Sequence, residues 1–166
     1  CAGMMGHDYL QLFEGSPEFD KVQRFAARVY DLSQYLDEIL QVNYEDKGEK
    51  IKVAWHSNCH ALRVAKSVEA SKNLIRKFAN VELLELEHEE ECCGFGGTFA
   101  VKESDISNAM ALAKIEDIKK TGASYLISGD GGCLLNISGT MKRNGVDIKC
   151  LHLYDFLIKR LEGAPL

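Results

Sequence analysis

The chain has 166 residues, with 20 Lys and Arg against 25 Asp and Glu, for a formal net charge of −5. That length suffices for one compact domain with a sizeable core. The acidic balance argues against nucleic acid as a partner, because phosphate affinity needs clustered cations, and no apolar run is long enough to span a bilayer. No secretory signal is visible, so a cytoplasmic, reducing setting is expected. The first residue is Cys1, and Cys1-Ala2-Gly3-Met4-Met5 reads like the interior of a folded domain, so a piece of a longer protein is expected.

In chain order, Ser16-Pro17-Glu18 has the features of a helix start, with Ser as N-cap and Pro at the first helical position. Val22, Phe25, Ala26, Val29, Leu32, Leu36, Ile39 and Leu40 follow at helical spacing and predict one long helix to about Val42. The polar stretch Asn43 to Lys50, with Gly48, reads as a linker. A segment 1–50 with one long helix is therefore expected, followed by a domain at 51–166. Ile51 to Trp55 reads as a strand and Cys59 to about Phe78 as a helix. Val81 to Leu86 is a second strand. Ser104 to about Thr121 is a helix, Tyr125 to Ser128 a strand, and Gly131 to Arg143 a helix stopped by Asn144-Gly145. Val146 to Leu153 is a fourth strand and Tyr154 to Leu161 a last helix. This alternation predicts an α/β fold: a four-stranded, mainly parallel sheet with helices on both faces, plus the N-terminal helix.

Six cysteines punctuate that pattern. A disulfide framework suits small secreted proteins, whereas a large core without a secretory signal favours a reduced metal site. Cys92 and Cys93 are adjacent, beside Gly94-Phe95-Gly96-Gly97, and two neighbouring thiols cannot both point into one core. Cys59 falls just after the first strand, Cys92 and Cys93 after the second, and Cys133 after the third. In open α/β sheets the carboxyl ends of the strands form the ligand-binding edge. All four cysteines are therefore expected to converge as ligands of a soft metal or iron–sulfur cluster. Gly94, Gly96 and Gly97 let the backbone approach and supply N–H donors to an anionic centre. His56 and His60 bracket Cys59 and are candidates either to ligate zinc or to hydrogen-bond a cluster.

Other features read more simply. Cys150 lies within a strand as an inert thiol, and the run Glu85 to Glu91, with His88, reads as a charged surface loop. The glycine loops at 94–97 and 129–132 lack dinucleotide-binding spacing and a Walker lysine. A structural zinc module, a thiol–disulfide redox protein and a plain interaction domain stay open beside the iron–sulfur reading.

The run Cys92-Cys93-Gly94, with Cys59 before it and Cys133 after it, resembles the cysteine-rich CCG domain family. That pattern is a cysteine, a Cys-Cys-Gly some thirty-odd residues later, and a closing Cys-x-x-Cys. It is similar to a domain of lactate-utilisation and glycolate-oxidase iron–sulfur subunits and of the heterodisulfide reductases. The resemblance implies that Cys59, Cys92, Cys93 and Cys133 bind an iron–sulfur cluster, with zinc as the alternative. Residues 51–166 would be the CCG domain and 1–50 a segment between two repeats. It further implies a non-catalytic electron carrier, working with other subunits of an L-lactate or glycolate oxidation complex. The sequence departs from the pattern at Asn136, which stands where the last family cysteine is expected. A four-cysteine centre such as 4Fe–4S is then easier to justify than a five-cysteine one.

Overall fold

The computed structural model describes residues 1–166 and divides into two compact units, one of residues 1–42 and 59–74, the other of residues 43–58 and 75–166.

The first unit is helical. A π-helical turn, Met4–Asp8, leads into α1 (Tyr9–Leu12), and α2 spans Phe19–Ala26. The single helix expected to run to Val42 is instead broken. Asp31 takes an extended backbone, accepts the Ser33 N–H at 3.0 Å, and has its own N–H taken by Gln34 Oε1 at 3.0 Å. That reciprocal cap starts a new helix, α3 (Leu32–Gln34), which widens into a π-helical turn at Tyr35–Ile39. Apolar periodicity runs unbroken through this point, so only the cap chemistry at Asp31 marks the break. The helix expected from Cys59 is likewise split, because Lys66 is left-handed with φ of 55°. A π-helical turn at Ala61–Ala65 ends there, and α4 follows at Val68–Arg76.

The second unit holds the sheet. Its strands are β1 (Ile51–His56), β2 (Val81–Leu84), β3 (Tyr125–Ser128) and β4 (Lys149–His152). All pairs are parallel, in the order β2-β1-β3-β4. The expected α/β sheet is therefore present, with its second and fourth strands shorter than the sequence suggested. The remaining helices are α5 (Phe99–Lys102), α6 (Ser104–Thr121), α7 (Gly131–Arg143) and α8 (Leu153–Glu162). The chain leaves β1 toward one edge of the sheet and, after β2, crosses to the other. The direction of winding thus reverses between β1 and β3, the place where such sheets open a crevice at their carboxyl ends.

Alternation along the strands sorts the core. Ala54 of β1 and Leu126 of β3 bury against Ile115 and Ile118 of α6 and Leu134, Ile137 and Met141 of α7. Their neighbours Val53, Trp55 and Ile127 are also buried and, by the period of two, face the other way. There Phe78 meets Phe156 of α8 edge-on at 5.8 Å and packs on Tyr44 at 4.4 Å. Each such large side chain, fully buried, contributes about 1.5–3 kcal/mol. Below the amino ends of the strands, Arg160 of α8 is buried with Asp46 from the loop before β1. Their Nη2 and Oδ1 atoms lie 2.5 Å apart.

Candidate metal centre

His56 ends β1 and pairs in register with Ser128, the last residue of β3. The Ser128 hydroxyl donates to the His56 carbonyl at 2.9 Å, which ties the two strand ends together. Two residues on, Asp130 caps α7, its Oδ1 accepting the Cys133 N–H at 2.9 Å. Cys133 is thereby fixed in the first turn of α7. Cys93 arrives from the loop after β2, and its carbonyl accepts a hydrogen bond from Asn136 Nδ2 at 2.9 Å. Asn136, at the position where a further ligand would complete the family pattern, works here as a brace for the cysteine loop.

These elements bring three soft donors together. One ligand atom from each of His56, Cys93 and Cys133 lies within 4.8 Å of the others. All three residues are buried, at 1%, 2% and 8% exposure. His56 points to the same side of the sheet as Ala54, toward α6 and α7, because the two are separated by two positions on one strand.

The approach is close. Gly94 has φ of +82°, and a Cβ there would stand 2.6 Å from the Ser107 carbonyl oxygen of α6. A Cβ on Gly132 would meet the Phe95 ring at 2.4 Å. Gly94 needs glycine for the cysteine loop to lie against α6, and a side chain at Gly132 would have to displace the Phe95 ring.

The acidic stretch before the cysteines is the charged surface loop expected, and it is anchored to the core. Asp117 of α6 is buried and accepts the N–H groups of Glu87 and His88 at 3.2 and 2.9 Å. The Trp55 indole donates to Ser57, whose hydroxyl donates to Glu89 at 2.5 Å.

Two protons in the pair behave differently. A hydrogen bond from the Cys133 thiol holds Cys93 well below the usual thiol range, against the opposing effect of burial. The His56 ring and the Phe95 N–H add to that lowering. The same bond to Cys93, with burial and the negative charge of Cys93 and Asp130, pushes Cys133 far up. The pair therefore loses one proton readily and keeps the second until a cation supplies compensating charge.

The other sequence-predicted residues lie elsewhere. Cys92 is exposed and its sulfur accepts the Gly94 N–H at 3.3 Å. Cys59 is exposed, three residues along the chain from His56, and belongs to the other compact unit. His60, in that unit, is exposed and packs against Gly3. Gly96 and Gly97 continue the cysteine loop, both exposed. His88 lies at the surface between Glu87 and Glu91. His152 caps α8, and Cys150 sits half-buried near Met141, where burial pushes its thiol up to about 11. His56 is thus the residue whose weight the sequence understated. Its place at the very end of an apolar strand, with Ala54 beside it inward, was the available signal.

A metal or cluster fits this donor set. Both ring nitrogens of His56 are buried without a hydrogen-bond partner in good geometry, a costly state for an imidazole. A nitrogen and two sulfurs are the donors that zinc and iron–sulfur centres take. Tetrahedral donors about 2.3 Å from one ion stand roughly 3.8 Å apart, so a small closure of the present spacing would suffice.

The family model for the cysteine-rich CCG domain matches residues 53–138. Lactate utilization protein A of Oceanobacillus iheyensis is 36% identical over 165 residues, 99% of this chain and 67% of that protein. The protein of the same name from Shouchella clausii is 40% identical over 160 residues, 95% of this chain and 66% of that one. That from Halalkalibacterium halodurans is 37% identical over 158 residues, 95% of this chain and 64% of the relative. The chain thus spans about two thirds of the length of these curated relatives.

Proposed function

The chain belongs to the cysteine-rich CCG domain family, and from that premise we propose that it is an iron–sulfur electron-transfer module of a 2-hydroxy acid oxidation system. The observation that carries this reading is the buried meeting of Cys93, Cys133 and the unpartnered His56 ring at the switch point of the sheet. A cluster there supplies reversible one-electron chemistry; it needs no nucleophile or general base, and the module itself is not catalytic. Cys93 and Cys133 would be its innermost thiolates. His56 would stand as a donor or as a hydrogen-bond partner to it. Cys92, at the mouth of the same loop, and Cys59, on the strength of the sequence pattern, would complete a four-thiolate set. Gly94, Gly96 and Gly97 would turn backbone N–H groups toward it, as Phe95 already does toward Cys93. His60 would act only from the periphery. With Asn136 engaged on the Cys93 carbonyl, an ordinary 4Fe–4S centre is the form favoured.

The relatives' names support lactate as the 2-hydroxy acid. The L-enantiomer, other subunits of that oxidation system as partners and the cytoplasm as the setting are part of the same proposal. No helix is long and apolar enough to cross a membrane. One observation favours a second reading: a histidine with two cysteines is also a zinc donor set.

Reduction of anaerobically reconstituted protein with dithionite, followed by reoxidation with a dye, tests the proposal. Reversible bleaching of visible absorbance is expected. Colourless protein with one tightly held zinc ion would replace the electron carrier with the structural module.

A further inference from the structure

Lys114 of α6 is 1% exposed, among the most deeply buried side chains of the molecule. Its Nζ donates to the His88 carbonyl, five residues before Cys93. Lys114 lies one turn beyond Met110 on α6, and the Met110 Cβ would stand 3.0 Å from a Cβ on Gly94 of the cysteine loop. An ammonium taken out of water is strongly unfavourable unless hydrogen bonds and opposite charge offset the loss. The acids that act on it are Asp117, Glu91 and Glu89. Of these only Asp117 is buried, and it is also engaged by the Glu87 and His88 N–H groups. Burial pushes the Lys114 ammonium below its usual range, while those acids and Cys93 oppose the shift. Lys114 therefore stands in the field of Cys93 as well as in that of the acidic loop.

We propose that Lys114 is a positioning residue of the metal centre whose buried charge balances the negative charge of the thiolates and makes the centre easier to reduce. The proposal rests on the iron–sulfur reading given above. A cluster held by thiolates is anionic and becomes more so when it gains an electron. A fixed cation at low dielectric stabilises the reduced form more than the oxidised one. A purely structural Lys114, holding the His88 turn in place, would leave the potential where it is.

The test is the midpoint potential of the reconstituted full chain, followed through its visible absorbance, in three variants. Lys114→Met should move the potential negative. Asp117→Asn, which removes the neutralising acid but keeps an acceptor for the loop, should move it positive. Lys114→Arg should stay close to the unsubstituted protein. Opposed shifts of this kind do not arise from a loosened loop. Unmoved potentials, or shifts in the same direction for Lys114→Met and Asp117→Asn, would overturn the role of Lys114 while leaving the cluster in place. Should Lys114→Met not fold, Lys114→Gln, which keeps a donor for the His88 carbonyl, takes its place, and an unmoved potential there refutes the proposal. Absence of iron from the unsubstituted protein would instead refute the reading of the site, and this inference with it.

Discussion

The two ends of the sheet both bury ionisable groups, and they treat them in opposite ways. Below the amino ends, both carboxylate oxygens of Asp46 are engaged. Its Oδ1 meets Arg160 Nη2 at 2.5 Å and the Gly48 N–H at 3.1 Å, and its Oδ2 takes the Asn80 N–H at 2.8 Å. Arg160 Nη1 in turn donates to the Glu49 carbonyl at 2.9 Å. At the carboxyl ends, neither buried ring nitrogen of His56 reaches a hydrogen-bond partner in good geometry, and the Cys133 thiol, the Phe95 N–H and the His56 ring all bear on the one Cys93 sulfur. The first arrangement pairs opposite charges within the chain and fastens the linker before β1 to α8, although the Arg160 Nε is buried without a hydrogen-bond partner. The second is complete only when something soft and cationic joins it. Whether a buried charge finds its opposite within the chain, more than burial itself, separates a structural polar cluster from a binding one.

Breaking the amino-end clamp should have the largest effect on stability. Asp46→Ala leaves a buried guanidinium uncompensated and should cost about 3–5 kcal/mol in urea unfolding. Gly94→Ala, which forces a Cβ toward the Ser107 carbonyl at an unfavourable φ, should cost roughly 2 kcal/mol and open the cysteine loop. Reduced cobalt uptake by that variant, read from its charge-transfer absorbance, would show the loop's share in the site.

Acid should also distinguish the two ends. Burial pushes the Asp46 carboxyl up, but Arg160 and the Asn80 and Gly48 N–H groups outweigh it and hold the folded pKa below the ordinary 3.8. The unfolded state therefore takes up the proton first. The stability that Asp46 contributes is fully present well above pH 3.8 and is lost as pH falls through that value and the folded one. Urea midpoints measured from pH 6 downward should fall less steeply for Asp46→Asn than for the unsubstituted chain. The smallest effect is expected at the other end: His56→Leu exchanges an unsatisfied ring for an apolar group. It should change metal-free stability by no more than about 1 kcal/mol while impairing metal uptake. A large loss of stability in metal-free His56→Leu would mean that the ring is a structural member of the core.

Much of this contrast could be read from the sequence, and the unread part has physical causes. β3 and α7 fall at the expected residues, because Gly131 and Asn144-Gly145 bracket the helix and the strand is short and apolar. Placement of Cys93 and Cys133 at one edge followed from the alternation of elements. The breaks at Asp31 and Lys66 were hidden, since apolar spacing continues straight through a cap and through a left-handed residue. The short helix α5, four residues long, carries too few turns to leave a periodic signal. Adjacent Cys92 and Cys93 could not both be inward; which one faces the core depends on Gly94 and Asn136, not on spacing. Nothing in the sequence sets Lys114 and Asp117 apart from the other charges of α6, and only their burial beside the acidic loop distinguishes them.

A cluster held by Cys93 and its buried partners is tested most directly by the iron and acid-labile sulfide content of anaerobically purified protein, with Cys93→Ser beside it. Iron and sulfide should be present together in the unsubstituted chain and lost from Cys93→Ser. Absence of both from the unsubstituted chain, or equal amounts in the variant, would contradict the account.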